Sequence, residues 1–285
     1  MTESKIQNRK SKIRSVVLAA THHDPDGALY EQVRRTLPLL DELFCGLALQ
    51  VTHTTQERSL ELLNGAGALT HQESTAPDDA HRQLGRARRA AVRLALRSDA
   101  PSILFGDFDR MMHWVERYPD ELAQIVARIA EHDLTILGRT ERAFNSHPRV
   151  QRDTEAIVNY VYTAISGNAW DVTAAARGLS RRAASAILAG CPDESIGTDV
   201  SWPLFVQQHG GFSLGYIATE GLEFETADRH GDAIAAAGGL TQWLAQLDAD
   251  PRRWIQRLDL ARVEVEAVLL YADRRPTTDD QRRTD

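Results

Sequence analysis

The chain predicts an α/β fold: a mainly parallel sheet flanked by helices, with a helical extension at the C-terminal end. Three observations carry this. Short apolar runs alternate with amphipathic segments along the first half of the sequence. The polar residues able to do chemistry follow directly after those runs, where a parallel sheet gathers its ligands. The last stretch, residues 250–273, is rich in Arg, Glu, Val and Leu and reads as helix. At 285 residues with 42% hydrophobic content, the chain is long enough to bury a substantial core.

Residues 1–14 are polar and basic, lack the apolar stretch of an export signal and read as a disordered tail. Residues 15–20 (SVVLAA) form the first buried strand, and THHDPDG behind it has the Pro and Gly of a loop. A helix over 29–40, bent near its end by Pro38, leads to a second strand at 44–52. A short helix at 59–63 stops at Asn64 and Gly65. A longer one over 79–97 has Leu84, Ala87, Ala91, Leu94 and Ala95 on its apolar face. Residues 102–105 form a buried strand running into Gly106 and two acids, Asp107 and Asp109. A helix at 119–129, a strand at 134–139 and a helix at 154–165 follow, the last with Ile157, Val158, Val161 and Ile165 at helical spacing. Beyond Asp171 the segments become short and irregular until TQWLAQL and the final helix. Residues 274–285 read as a second disordered tail. The expected division is one domain over 15–235 and a helical extension over 236–273.

Lys and Arg number 33 against 40 Asp and Glu, a net charge of -7, which argues against generic binding to nucleic acid or anionic lipid. No apolar run is long enough to span a bilayer. Cys45 and Cys191 lack C-x-x-C spacing, which excludes a disulfide framework and suits reduced thiols in the cytoplasm.

The most informative cluster is ILFGDFDR. In an extended strand exit alternate residues point the same way, so Asp107 and Asp109, flanking Phe108, can face one site. Two hard oxygen donors at this spacing suit Mg2+ or Mn2+, which would hold the oxygens of a diphosphate. The alternative is a turn in which one Asp caps the next helix. In THHDPDG, Thr21, His22 and Asp24 can meet a ligand at the sheet's carboxyl edge; equally, Asp24 and Asp26 can be turn formers around Pro25.

The order of THHDPDG, Gly85-Arg86-Ala87-Arg88 on a helix, the apolar strand into Asp107-Phe108-Asp109, and ILGR resembles the family-2-like glycosyltransferases of the GT-A fold, over about residues 15–228. WDVTAAARGLSRRAA (residues 170–184) is similar to the acceptor-side segment of these enzymes, and IGTDVSWPLFVQQHGGFSLGYI to the stretch with their catalytic acid. The resemblance implies a GT-A-like (Rossmann-like) domain that moves a sugar, with metal assistance, from a nucleoside-diphosphate donor to a hydroxyl acceptor, small-molecule, glycan or lipid-linked. It implies that Asp107 and Asp109 bind metal and donor, that Thr52 lies near the base or ribose, and that Asp199 acts as general base. Thr198 stands where the family often has a second acid. His230 in FETADRHGD falls where many such enzymes place a further metal ligand, with Glu225 and Asp228 as rivals.

Arg82, Arg86 and Arg89 are candidates to neutralise the leaving diphosphate, or else a solvated basic face. Trp170, Trp202 and Tyr216 are either a sugar-stacking platform or core. The final helix can pack on the domain or on a second copy, as in a homodimer. Locally, HHDPDG also resembles DHH-type phosphoesterases, but no Asp-His-His triplet follows. DFD resembles haloacid-dehalogenase-like enzymes, but Met111 stands where they have Thr or Val. A GT-A-shaped binding protein without turnover is the non-enzymatic alternative.

Overall fold

A computed structural model describes residues 15–72 and 80–272, with the backbone alone for residues 80–82. The segments read as tails lie outside the described residues. Strands β1 (Val16–His22), β2 (Leu47–Val51) and β4 (Ser102–Asp107) are apolar along nearly their whole length because helices cover both sides of their sheet. β1 is central and pairs in parallel with β2 and β4. The short, polar β3 (Leu69–Gln72) extends this half beyond β2; its sequence, LTHQ, has no apolar run to betray a strand. On the other side, β6 (Ala176–Ser180) is antiparallel to both β4 and β5 (Leu134–Arg139), and β7 (Leu214–Thr219) is parallel to β5. The order is β3-β2-β1-β4-β6-β5-β7.

The helices between strands are α1 (Tyr30–Leu43), α2 (Glu57–Gly65), α3 (Ala80–Ala95), α4 (Phe108–Arg117), α5 (Pro119–Arg128), α6 (Glu141–Asn145), α7 (Arg149–Ser166), α8 (Arg181–Gly190) and α9 (Thr198–His209). Three more, α10 (Gly231–Ala236), α11 (Leu240–Ala249) and α12 (Pro251–Ala272), follow β7. Local chemistry sets several ends. Thr140 and Ser180 cap α6 and α8 by accepting from backbone N–H groups three residues on, Pro119 opens α5, and Gly167 closes α7 at φ 78°. The region beyond Asp171 is more regular than its sequence suggests, with β6, α8, α9 and β7 all formed.

Alternation along the strands sends Val17, Ala19, Ile103 and Phe105 to one core layer and Val16, Leu18, Ala20 and Leu104 to the other. In the first layer Trp202 packs on Phe105 at 5.5 Å between ring centres, and Trp170 stacks on Tyr216 at 5.7 Å. Trp202 belongs to the core, while Trp170 and Tyr216 are half-buried and pack against it. α12 packs on α7 and α9, and its Ala261, Ala267, Val268 and Tyr271 join the same layer. The helical end therefore shares the core of the sheet. No helix among the described residues is long and apolar enough to cross a membrane.

Candidate active site

The strand order reverses between β1 and β4, and at such a point the carboxyl ends of two neighbouring strands open a crevice. Register places Thr21 of β1 beside Asp107 of β4, and the Thr21 hydroxyl donates to Asp107 Oδ1 at 2.8 Å. The chain does not stay extended after Asp107. It turns straight into α4, with Phe108 buried and packed edge-on against His22, and Asp109 in the first helical turn. An acid there suits the positive end of the helix dipole. Both carboxylates still border one cavity of about 240 Å³.

Thr21, His22, His23, Gln50, Thr52, Glu225 and Arg229 also line this cavity. Thr52, at the end of β2, meets His23 Nδ1 at 2.9 Å and the Thr55 hydroxyl at 3.0 Å. Gln50 receives His71 on its Oε1, while its buried Nε2 has no partner among the described residues. Burial pushes the His22 imidazole down to about 4, so it is neutral at pH 7. Arg229 donates to Asp109 Oδ2 at 2.7 Å and to the His23 carbonyl at 2.9 Å. Sequence reasoning picked the neighbour, His230, and missed Arg229.

Asp107 also borders a second cavity of about 120 Å³, closed by α3, α7, α9 and α12. Arg110 stands between the two, 3.6 Å from Asp107 and 3.3 Å from the buried Glu225, and donates to the Ala174 carbonyl at 2.8 Å. Burial pushes the Glu225 carboxyl up, with Arg110 opposing. Deeper in, Asp199 Oδ1 lies 3.0 Å from Arg88 and 3.4 Å from Arg177, all three side chains being buried. Burial raises the Asp199 carboxyl while the two guanidinium groups pull it down. A third, more apolar cavity of about 340 Å³ adjoins the second through Ile196, Arg257 and Leu260; Phe224, Trp243 and Leu247 line it.

Several expected site residues lie elsewhere. Asp24 is buried and accepts the Leu29 backbone N–H at 3.1 Å, so it shapes the turn before α1 and does not line the cavity. Arg86 is exposed and paired with Glu194 at 2.6 Å. Arg89 is buried but donates to the carbonyls of Ile187, Leu188 and Cys191, tying off the end of α8. The Arg82 side chain lies outside the described residues. Among the described side chains of this helix, the arginine that reaches the site is Arg88. His230 lines the apolar cavity, 5.3 Å from the Trp243 ring centre, and does not join the two aspartates. Of its two rivals, Glu225 borders the Asp107 cavity, whereas Asp228 is held by His113 at 2.8 Å and Gln32 at 2.8 Å.

No group of three or more His, Cys, Asp or Glu side chains poised to hold a metal is found among the described residues. Asp107 and Asp109 nevertheless fit Mg2+ or Mn2+: both are hard oxygen donors, 26% and 21% exposed, at the rim of one cavity. Such cations commonly take one or two carboxylates and complete their shell with water and phosphate oxygens.

Among solved structures, the chain is similar to glucosyl-3-phosphoglycerate synthase from Mycobacterium tuberculosis. In complex with phosphoglyceric acid, that protein superposes at a TM-score of 0.50 with 12% identity, over 75% of this chain and 73% of that one. In complex with Mn2+ and UDP-glucose the TM-score is 0.50 and the identity 12%, over 75% of this chain and 72% of that one. The fold is GT-A-like. No protein-family model matches the sequence, and no curated protein does. At this identity the likeness is one of fold, and fold alone does not set the chemistry.

Proposed function

We propose that the protein is a glycosyltransferase that moves a sugar from a nucleoside-diphosphate donor to a hydroxyl acceptor. The observation that carries this reading is the placement of Asp107 and Asp109 at the mouth of one cavity, at the switch point of a GT-A-like sheet. In that reading Gln50 and Thr52, at the end of β2, meet the base and ribose; Gln50 brings an unused buried N–H pair to the task. Thr21 fixes the Asp107 carboxylate. Asp107 and Asp109 would hold a divalent cation, which when bound supplies positive charge against the diphosphate. Arg229 spends two of its five donors on Asp109 and His23 and keeps the others for phosphate oxygens.

The second cavity, sharing Asp107 with the first, is where the acceptor hydroxyl would meet the sugar, and the apolar cavity beyond would take the acceptor's body. Asp199, the expected base, is assigned a different task. With Arg88 and Arg177 both on Oδ1, it holds the cationic wall of this cavity in place. Cys45 and Cys191 are free thiols, which suits a cytoplasmic enzyme.

Calorimetry with UDP and UDP-glucose, with and without Mn2+, tests the reading. Binding that strengthens with Mn2+ in the native protein and loses that dependence in Asp109→Ala is expected. No binding of any nucleoside diphosphate would refute the transferase assignment. Tight binding without transfer to any of a broad panel of hydroxyl acceptors would assign the non-catalytic alternative.

A further inference from the structure

Four carboxylates line the second cavity: Asp107, Glu155, Asp199 and Glu264. Three have a cation against them. Asp107 faces Arg110, Glu155 lies 2.8 Å from Arg139 and 3.6 Å from Arg257, and Asp199 is held by Arg88. Glu264 is the exception. It projects from α12 and is 5% exposed, yet it makes no ion pair or hydrogen bond with any described residue. A mostly buried carboxyl group with no fixed partner, its side chain lining the cavity, is costly to keep, which makes its place beside Asp107 in that cavity informative.

We propose that Glu264 is the catalytic base of the transfer reaction, taking the proton from the acceptor hydroxyl. This rests on the transferase reading above and adds the proton's destination. The acceptor oxygen attacks the sugar's anomeric carbon, and the bond from that carbon to the diphosphate oxygen breaks, its electron pair leaving with the diphosphate. The hydroxyl proton passes to a Glu264 carboxylate oxygen and from there to solvent. Nothing is oxidised or reduced.

The groups facing Glu264 set its poise. Asp199 from α9 and Glu155 from α7 are like charges that, with burial, push it well above the ordinary carboxylate range; Arg88 from α3 and Arg257 from its own helix pull the other way. Asp107 at the end of β4 and Arg110 from α4 complete the charged wall of the cavity. A base poised nearer neutrality accepts a proton in the transition state more effectively than an ordinary carboxylate. Asp199 lacks this freedom because two guanidinium groups sit on one of its oxygens.

The test compares native protein with Glu264→Gln and Glu264→Asp, using UDP-glucose as donor and either 3-phosphoglycerate or water as acceptor. Glu264→Gln should bind UDP within about twofold of the native protein, lose turnover by about 100-fold or more, and lose the acidic limb of the kcat–pH profile. Glu264→Asp should recover part of that turnover. Turnover of Glu264→Gln within threefold of native, or an equal loss of UDP binding, would overturn the assignment. A native protein that binds none of UDP, GDP and ADP would remove the parent reading and this one with it. If the native protein binds UDP but turns over neither acceptor, infrared difference spectra decide. A protonated carboxyl band that titrates above the ordinary carboxylates and is missing from Glu264→Gln supports the proposal; absence of that band from the native protein refutes it.

Discussion

His22 gives the protein a measurable dependence of stability on pH. Its ring is 2% exposed, packed on Phe108, and neither ring nitrogen has a partner among the described residues. Burial lowers the folded group to about 4 from 6.5. Below pH 6.5 the unfolded chain therefore takes up a proton that the folded one refuses, so the contribution is complete above pH 6.5 and is lost as pH falls toward about 4. Each pH unit in that window costs about 1.4 kcal/mol, hence about 2 kcal/mol between pH 6.5 and 5.0. Urea unfolding of the native protein and of His22→Gln, at intervals from pH 5.0 to 7.5, isolates this contribution. His147, also buried and held well below its ordinary value, is common to both proteins and cancels. The stability difference between the two should change by about 2 kcal/mol across the window. Parallel stability curves would show that His22 is protonated or solvated in the folded state and would refute the reasoning.

Two further substitutions test the frame around the site. Arg88→Met leaves the buried Asp199 with only the longer Arg177 contact and should cost about 1.5–3 kcal/mol in urea unfolding, with part recovered when Asp199→Asn is added; a loss below about 1 kcal/mol would mean that the pair is solvated. Gly85→Ala should destabilise by about 1–3 kcal/mol despite alanine's better helix propensity, because a Cβ there would collide with the backbone of Glu194 and Ser195. A gain in Tm would show that α3 stands clear of that loop.

The strongest sequence signals were those with a single physical meaning. The apolar runs at 15–20 and 102–105 became β1 and β4, and the acids after the second run border the cavity at the switch point. What escaped notice was less regular. β3 and β6 are short and contain polar residues or glycine, so no alternation marks them. Arg88 was passed over for its neighbours, yet it lies four residues after Leu84 and three before Ala91, which places it on the apolar face of its own helix. Glu264 shows the same signature between Leu260 and Val268. A charge interrupting an apolar stripe was the readable clue in both cases. The choice between His230 and Arg229 had no such clue, because the 3-10 turn ending at Arg229 sends adjacent side chains to different cavities.

The docking of α12 bears on how the protein is made. Every strand of the sheet is complete by Thr219, but the wall holding Arg257, Leu260 and Glu264 comes from the last helix described. A ribosome that has released β7 has yet to supply that wall, so the nascent chain can assemble the crevice between β1 and β4 while the neighbouring chamber stands open to water. Closure of that chamber would then arrive late and abruptly, as one helix settles against α7 and α9, laid down roughly 50 to 100 residues earlier.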